Sequence, residues 1–149
     1  MQTEEIYRGV ILDHARHPRN RMILEEPDLE ALANNPLCGD ELLLTLCLDR
    51  GKILRCGAQV RGCSICQASA SMMSEQLPGR SMQEASRLSK AFQFSFKQKE
   101  SEIPREMEDL MPLLLLKSNR SRTRCVTLPW VALDDCLASQ KDDISNSKS

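Results

Sequence analysis

The sequence predicts an α+β domain, a small antiparallel sheet covered by helices mostly on one face. Two observations carry that expectation. Across residues 41–49, Leu42, Leu44, Leu46 and Leu48 alternate with their neighbours, which is the period of a half-buried strand. Arg50-Gly51 then separates this run from residues 52–60, where Leu54, Cys56, Ala58 and Val60 fall on one side, so the two runs form an antiparallel hairpin. Outside the hairpin the apolar residues recur at helical spacing instead.

The elements follow in order. Residues 3–15 place Ile6, Tyr7, Val10 and Ile11 on one stripe, with Glu4 and Glu5 in the first turn, where the helix dipole favours acids. His17-Pro18-Arg19-Asn20 stops this helix, because proline disfavours helical geometry in the residue before it. Residues 21–35 show no clear period and read as loop or short helix. Asn34-Asn35-Pro36 is turn chemistry leading into Cys38-Gly39-Asp40. After the hairpin, which Gly62 ends, a helix over 64–77 is built on Ile65, Ala68, Met72 and Met73 and closes at Pro78-Gly79. Ser81 opens another, to about residue 94. Residues 95–103 are polar and read as an exposed loop; Ile103-Pro104 starts a helix reaching 116.

Residues 117–124 are basic and serine-rich, a loop delivering the chain to Cys125, and a last helix over 127–138 carries Trp130, Leu133 and Leu137 on one stripe. The expectation is five helices, six if 21–35 contributes one, in a domain spanning 1–140. Residues 141–149 have too little apolar content to pack and are expected to be a disordered tail.

Composition bounds the function. The 149 residues fit one domain with a single core. Lys plus Arg (20) balances Asp plus Glu (21) and aromatics are 3%, which gives nucleic acid little to bind. No apolar run approaches the roughly eighteen residues of a membrane helix, and the first residues do not read as a signal peptide, so the expected location is the cytoplasm.

Seven cysteines in such a chain point to metal, catalysis or packing rather than to a secreted disulfide framework. Cys47, Cys56 and Cys136 lie inside patterned elements and are expected to be buried and inert. Cys38, Cys63 and Cys125 lie at element ends, the last two immediately ahead of helices. A helix N-terminus stabilises thiolate, the form that binds metal or attacks sulfur. A tetrahedral site needs a fourth ligand, and Asp40 stands two residues from Cys38 across a glycine. By spacing alone this is a moderate signal, and a solvated turn aspartate is the plain alternative.

These residues bring the sequence close to a known family. VILDHARHPRN (10–20), NNPLCGDELLLTLCLD (34–49), RGCSICQASASMM (61–73) and RCVTLPW (124–130) resemble the U-type proteins of iron–sulfur cluster biogenesis, most closely their SufU-like branch. The resemblance extends to about residue 137 and implies a three-stranded sheet, whose third strand would come from the region before Cys38. It also implies that Cys38, Asp40, Cys63 and Cys125 line one site that holds Zn2+ or assembles a [2Fe–2S] cluster, with sulfur arriving as a persulfide from a cysteine desulfurase. Two features favour the SufU-like branch over the IscU-like scaffolds. Arg124 stands where the scaffolds have a histidine before the last cysteine, and the stretch from Cys63 to Cys125 is longer.

The expected activity is therefore zinc-dependent sulfur acceptance at Cys38 from a SufS-like desulfurase, in a pathway that feeds downstream assembly or recipient proteins. The alternative is a scaffold for a labile [2Fe–2S] cluster. Of the basic run Arg120, Arg122 and Arg124, Arg122 is the candidate to stabilise negative charge beside Cys125, a solvated loop being the plain reading. Cys66 stands where the branch usually has serine; it is expected to be a buried substitute, with a resolving thiol or spare ligand as alternatives. A redox CxxC at Cys63–Cys66 wants a thioredoxin-like setting, and the hairpin argues against one. His14 and His17 could each be a ligand by composition, and a hydrogen-bonded structural histidine is the plain reading of both.

Overall fold

The computed structural model describes residues 2–37, 39–98 and 105–147. Its elements are α1 (Gln2–Arg16), β1 (Leu29–Asn35), β2 (Asp40–Asp49), β3 (Lys52–Arg61), α2 (Ser64–Gln76), α3 (Met82–Ser95), a 3-10 segment (Arg105–Leu116) and α4 (Arg120–Ser147). The strands form one antiparallel sheet in the order β1-β2-β3. The third strand does lie before Cys38, and residues 29–35 are therefore strand where the sequence suggested loop or short helix. Its burial alternates, but the period is hidden in the sequence because Leu32 faces outward while the inward positions after Leu29 are alanines and Asn35.

Both hairpins follow from local chemistry. Arg50 and Gly51 each take positive φ (53° and 78°), the two-residue turn that suits the strand twist between β2 and β3. Between β1 and β2, the Asn35 side chain accepts the Leu37 N–H (3.2 Å), and Gly39, at φ 73°, donates its N–H to the Asn35 carbonyl (2.8 Å).

Leu42, Leu44 and Leu46 point inward and are fully buried. On β3 the expected face fails at one residue: Leu54 is 57% exposed and Ile53 is 1% exposed. A bulge is the reason. Cys47 pairs with Arg55 but Leu48 pairs with Ile53, so the alternation slips by one residue at Leu54.

Helices α2 and α4 cover the inner face of the sheet, with Met73 and Leu77 from α2 and Trp130, Leu133 and Cys136 from α4 in the core. Helix α1 and the HPRN segment dock on a row of buried α2 serines. Ser71 Oγ meets His14 Nδ1 (2.7 Å) and accepts the Arg19 N–H (2.8 Å), while Asn20 Nδ2 donates to Ser74 Oγ (2.9 Å). His14 is thus structural, as in the plain reading. Ser81 caps α3 with Glu84 in a capping box.

Three further expectations are corrected. The run 105–116 is 3-10 rather than regular α-helix, kinked at Met107 and carrying Pro112. Residues 120–124 are not loop but the first turn of α4, where the Asn119 carbonyl accepts the N–H groups of Arg122 and Thr123. Cys47 is half-buried rather than buried. The α4 backbone is helical across residue 140, where composition placed the end of the domain.

Candidate metal centre

The β2–β3 register sets the site. Glu41 pairs with Arg61, so the next residues outward, Asp40 on one strand and Gly62-Cys63 after the other, come together at one end of the sheet. Cys63 is the N-cap of α2 with extended backbone (φ −71°, ψ 160°), and its sulfur accepts the Cys66 N–H at 3.4 Å. Its own N–H donates to Asp40 Oδ1 (2.8 Å), and its Sγ lies 3.5 Å from Asp40 Oδ2. Asp40 is only 1% exposed. A buried carboxylate requires such partners, because desolvation penalises an unpaired charge.

Gly62 makes this approach possible. Its φ is 149°, and a Cβ there would lie 2.2 Å from Asp40 Oδ1 and 2.9 Å from Asp40 Cα. The sequence showed Gly62 only as a strand breaker; the crowding against Asp40 is tertiary and leaves no sequence signal.

Cys125 comes from the second turn of α4 and is 2% exposed. Because α4 begins at Arg120, Cys125 is not at the helix N-terminus as expected, and the terminal field is largely spent there. Its position is set from α2. Pro129 has no N–H to continue the α4 ladder, and Ser69 of α2 donates its hydroxyl to the neighbouring Val126 carbonyl (2.5 Å). That bond ties the helix of Cys125 to the helix capped by Cys63.

One donor atom each from Asp40, Cys63 and Cys125 lie within 4.8 Å of one another. Donors around tetrahedral zinc are roughly 3.5 Å apart, so closing the set asks for a shift of about 1 Å. Two sulfurs and one buried carboxylate oxygen suit zinc, and equally the iron of a cluster. The residues present therefore fit a metal. Cys38, between Leu37 and Gly39, lies outside the described residues. Cys66 is fully buried, as expected for a packed substitute, and contributes no donor to this set.

A cleft of about 1180 Å³ opens on the face of α4 that carries Arg124, the residue before Cys125; its lining includes Lys97, Lys117, Arg120 and Arg124 together with Phe96 and Leu115, and none of the three donors. Arg120 and Arg124 are one turn apart and share this wall. Arg122 is exposed and does not line the cleft; at about 100° per residue it sits about 60° around α4 from Cys125 on the other side. Burial pushes the thiols of Cys56 and Cys136 up to about 12, with the Cys136 thiol adding to the shift at Cys56 and the Asp135 and Glu30 carboxylates to that at Cys136, so neither supplies thiolate at neutral pH. Among the described residues no helix is long and apolar enough to cross a membrane.

Comparison with known proteins agrees with this architecture. The profile of the NifU-like N terminal domain matches residues 6–111. The chain is 34% identical over 138 residues to the zinc-dependent sulfurtransferase SufU of Bacillus subtilis (strain 168), covering 93% of each chain. It is 32% identical over 132 residues to the iron–sulfur cluster assembly scaffold protein IscU of Streptococcus pyogenes serotype M1, covering 89% of this chain and 82% of that one. The crystal structure of a candidate SUF-system scaffold protein from Fervidobacterium islandicum AW-1 superposes with a TM-score of 0.82 at 28% identity, covering 91% and 98% of the two chains. The chain belongs to the NifU-like N-terminal domain family, as a SufU-like member of the U-type proteins of iron–sulfur cluster assembly.

Proposed function

We propose that this chain holds zinc through Cys38, Asp40, Cys63 and Cys125 and accepts persulfide sulfur on Cys38 from a SufS-like cysteine desulfurase in the cytoplasm. The observation that carries the reading is the convergence of Asp40, Cys63 and Cys125 within 4.8 Å at one end of the sheet. Bound zinc supplies positive charge that keeps ligand sulfurs deprotonated at neutral pH. The chain's own residues do the rest. Asp40 is oriented by the Cys63 N–H and is the oxygen corner of an otherwise sulfur-rich set, the corner suited to exchange. Cys38 lies two residues from Asp40, beside Leu37, which is 77% exposed, and that location suits a sulfur acceptor that a partner must reach.

The cationic wall of Lys97, Arg120 and Arg124 offers an acidic partner surface a complementary landing on the α4 face that carries Arg124. Arg122, exposed one turn before Cys125, is the candidate to face negative charge on the other side. The sulfur then passes to downstream assembly or recipient proteins.

A second reading uses the same residues to build a [2Fe–2S] cluster and hand it on. It is favoured by the relative from Streptococcus pyogenes, named a scaffold, which matches 89% of this chain. Metal and acid-labile sulfide content of the protein purified without added metal separates the two. About one zinc per chain without sulfide, as one tetrahedral site holds, supports sulfur acceptance. Iron and sulfide in equal amounts, held more firmly in Asp40→Ala, overturn it in favour of the scaffold.

A further inference from the structure

Two cavities open along one face of α4 and join. The larger is the cleft of about 1180 Å³ that carries Arg120; the smaller, of about 280 Å³, has Pro36, Thr127, Leu128 and Val131 in its lining, and Asn35 and Arg124 belong to both. The result is one groove with α4 on one side and the turn between β1 and β2 on the other. Arg120, Arg124, Thr127, Leu128 and Val131 fall on a single helix face, while Val126, Trp130 and Leu133 take the other face into the core. The two ends of the groove differ in kind. At the Arg120 end, Lys97 and Lys117 join the two arginines, and among the described residues no carboxylate lines the groove or pairs with Arg120 or Arg124. The chain as a whole carries a net charge of −1, so this concentration of positive charge is local. At the other end Val131 is 39% exposed in a lining that includes Pro36 and Leu128.

We propose that this groove docks an extended segment of a partner protein that carries acidic side chains at one end and an apolar side chain at the other. The inference rests on the reading of the cationic wall as a landing for an acidic partner, and adds to it a length, an order of chemistry and an apolar anchor. The length comes from α4, which rises about 16 Å from Arg120 to Val131, the span of about five residues of extended chain. The order comes from the charges. Arg120 and Arg124 are about 6 Å apart along the helix, and alternate residues of an extended chain put side chains on one side about 6.6 Å apart. Two acids in alternate positions therefore meet both arginines at once. From Arg124 to Val131 the helix rises about 10 Å, so an apolar residue about three positions further on reaches Val131 and Leu128. A protein segment suits the groove better than nucleic acid, because among the described residues Phe96 is the only aromatic side chain in the lining and the apolar end gives a phosphate backbone nothing to pair with.

The test uses the full chain and fluorescence anisotropy with a labelled peptide, Ser-Asp-Glu-Asp-Ser-Leu-Val-Ser, and the same sequence reversed. The tighter of the two directions is compared with two analogues, one with Asn and Gln in place of the acids and one with Ser in place of Leu-Val. Each analogue is expected to bind wild type about fivefold more weakly, and raising NaCl from about 50 to about 500 mM should weaken only the acidic peptides. The double variant Arg120→Glu, Arg124→Glu should lose about tenfold in affinity for the acidic peptide and prefer an analogue with Lys in place of the acids. Arg87→Glu, the same kind of charge change at an exposed position of α3, should bind as wild type does. Failure of wild type to prefer the acidic peptide over its amide analogue, in either direction, overturns the inference together with the landing, and needs no variant to fold. Equal binding of the peptide without Leu-Val overturns the inference alone, leaving a cationic landing without an apolar anchor. A loss in Arg87→Glu as large as in the double variant means unspecific attraction and overturns it too. So does tighter binding of an oligothymidylate of equal charge, which assigns the groove to nucleic acid. None of these outcomes bears on the metal and sulfide content of the centre, which tests the sulfur-acceptor reading separately.

Discussion

Asp40 Oδ1 accepts the backbone N–H of Cys63 at 2.8 Å, joining the first residue of β2 to the cap of α2. The bond presents two donors of the centre to each other before any metal arrives, and it exists only because nothing projects from residue 62. Gly62→Ala therefore sets a methyl group against the Asp40 carboxylate and backbone. We expect it to cost about 1–3 kcal/mol of stability and to weaken zinc binding at least tenfold. Denaturant unfolding and competition with a chromophoric chelator measure the two, and a variant with unchanged zinc affinity would remove Gly62 from the account of the site.

The tie between α2 and α4 is a second test. Ser69 is fully buried and its hydroxyl satisfies the Val126 carbonyl beside the Pro129 interruption. Ser69→Ala removes this interhelical donor from the Val126 carbonyl, a loss of about 0.5–1.5 kcal/mol, the net worth of an ordinary hydrogen bond. The urea midpoint should fall with the slope unchanged. If it does not move, the register of Cys125 relative to Cys63 is set by apolar packing rather than by this hydrogen bond.

How much of this was legible in advance depends on the kind of interaction. The Leu42-Leu44-Leu46 face, the Arg50-Gly51 turn and the Ser81 cap are local, and period or turn chemistry finds them. The face of Leu54 is not local, because the bulge that turns it outward is decided by pairing between Cys47 and Arg55 across the hairpin. Strand β1 was hidden because Leu32 faces outward while the inward positions after Leu29 are alanines and Asn35. At the centre, Asp40, Cys63 and Cys125 drew notice by chemistry and placement, and family resemblance gathered them. The helical start at Arg120 was missed because Ser121 and Thr123 favour caps and turns by propensity, whereas packing of the buried Cys125-Val126 pair holds that turn in place.

Thiol reactivity should sort the cysteines by environment. With thiol pKa values pushed to about 12 by burial, Cys56 and Cys136 stay protonated and shielded. In native metal-free protein at pH 8, iodoacetamide should label the half-buried Cys47 and Cys63 at least tenfold faster than either. Peptide mass spectrometry over time gives the rates. Rapid labelling of Cys136 would mean that α4 opens from the sheet far more readily than its packing indicates.

Metal removal distinguishes a centre mounted on a finished fold from a zinc-built fold. Among the described residues, the core of Leu42, Leu44, Leu46, Met73, Trp130 and Leu133 includes one ligand residue, Cys125, with Cys63 packed at its edge. Chelation should therefore leave the far-ultraviolet circular dichroism unchanged and lower stability by about 3–4 kcal/mol, as loss of a ligand present at several hundred times its Kd would. Collapse of the helical signal on adding chelator would make the metal structural.

The pH dependence of stability should carry the signature of His14. Burial is the main cause that lowers its pKa from the ordinary 6.5, Arg19 adds to the shift, and Glu75, 3.7 Å from Nε2, opposes it without prevailing. The folded state thus prefers neutral imidazole. Ser71 already accepts the Arg19 N–H, which leaves its own hydroxyl proton for His14 Nδ1 and fits that neutral form. Between the lowered folded pKa and 6.5 the unfolded chain binds the extra proton, so the contribution is complete above 6.5 and is lost as pH falls below it. Urea midpoints from pH 7.5 to 5 should decline in wild type and decline less in His14→Gln, which lacks the group that resists protonation in the fold. Equal slopes would show that the carboxylates, not the histidine beneath α1, govern the acid side of the stability curve.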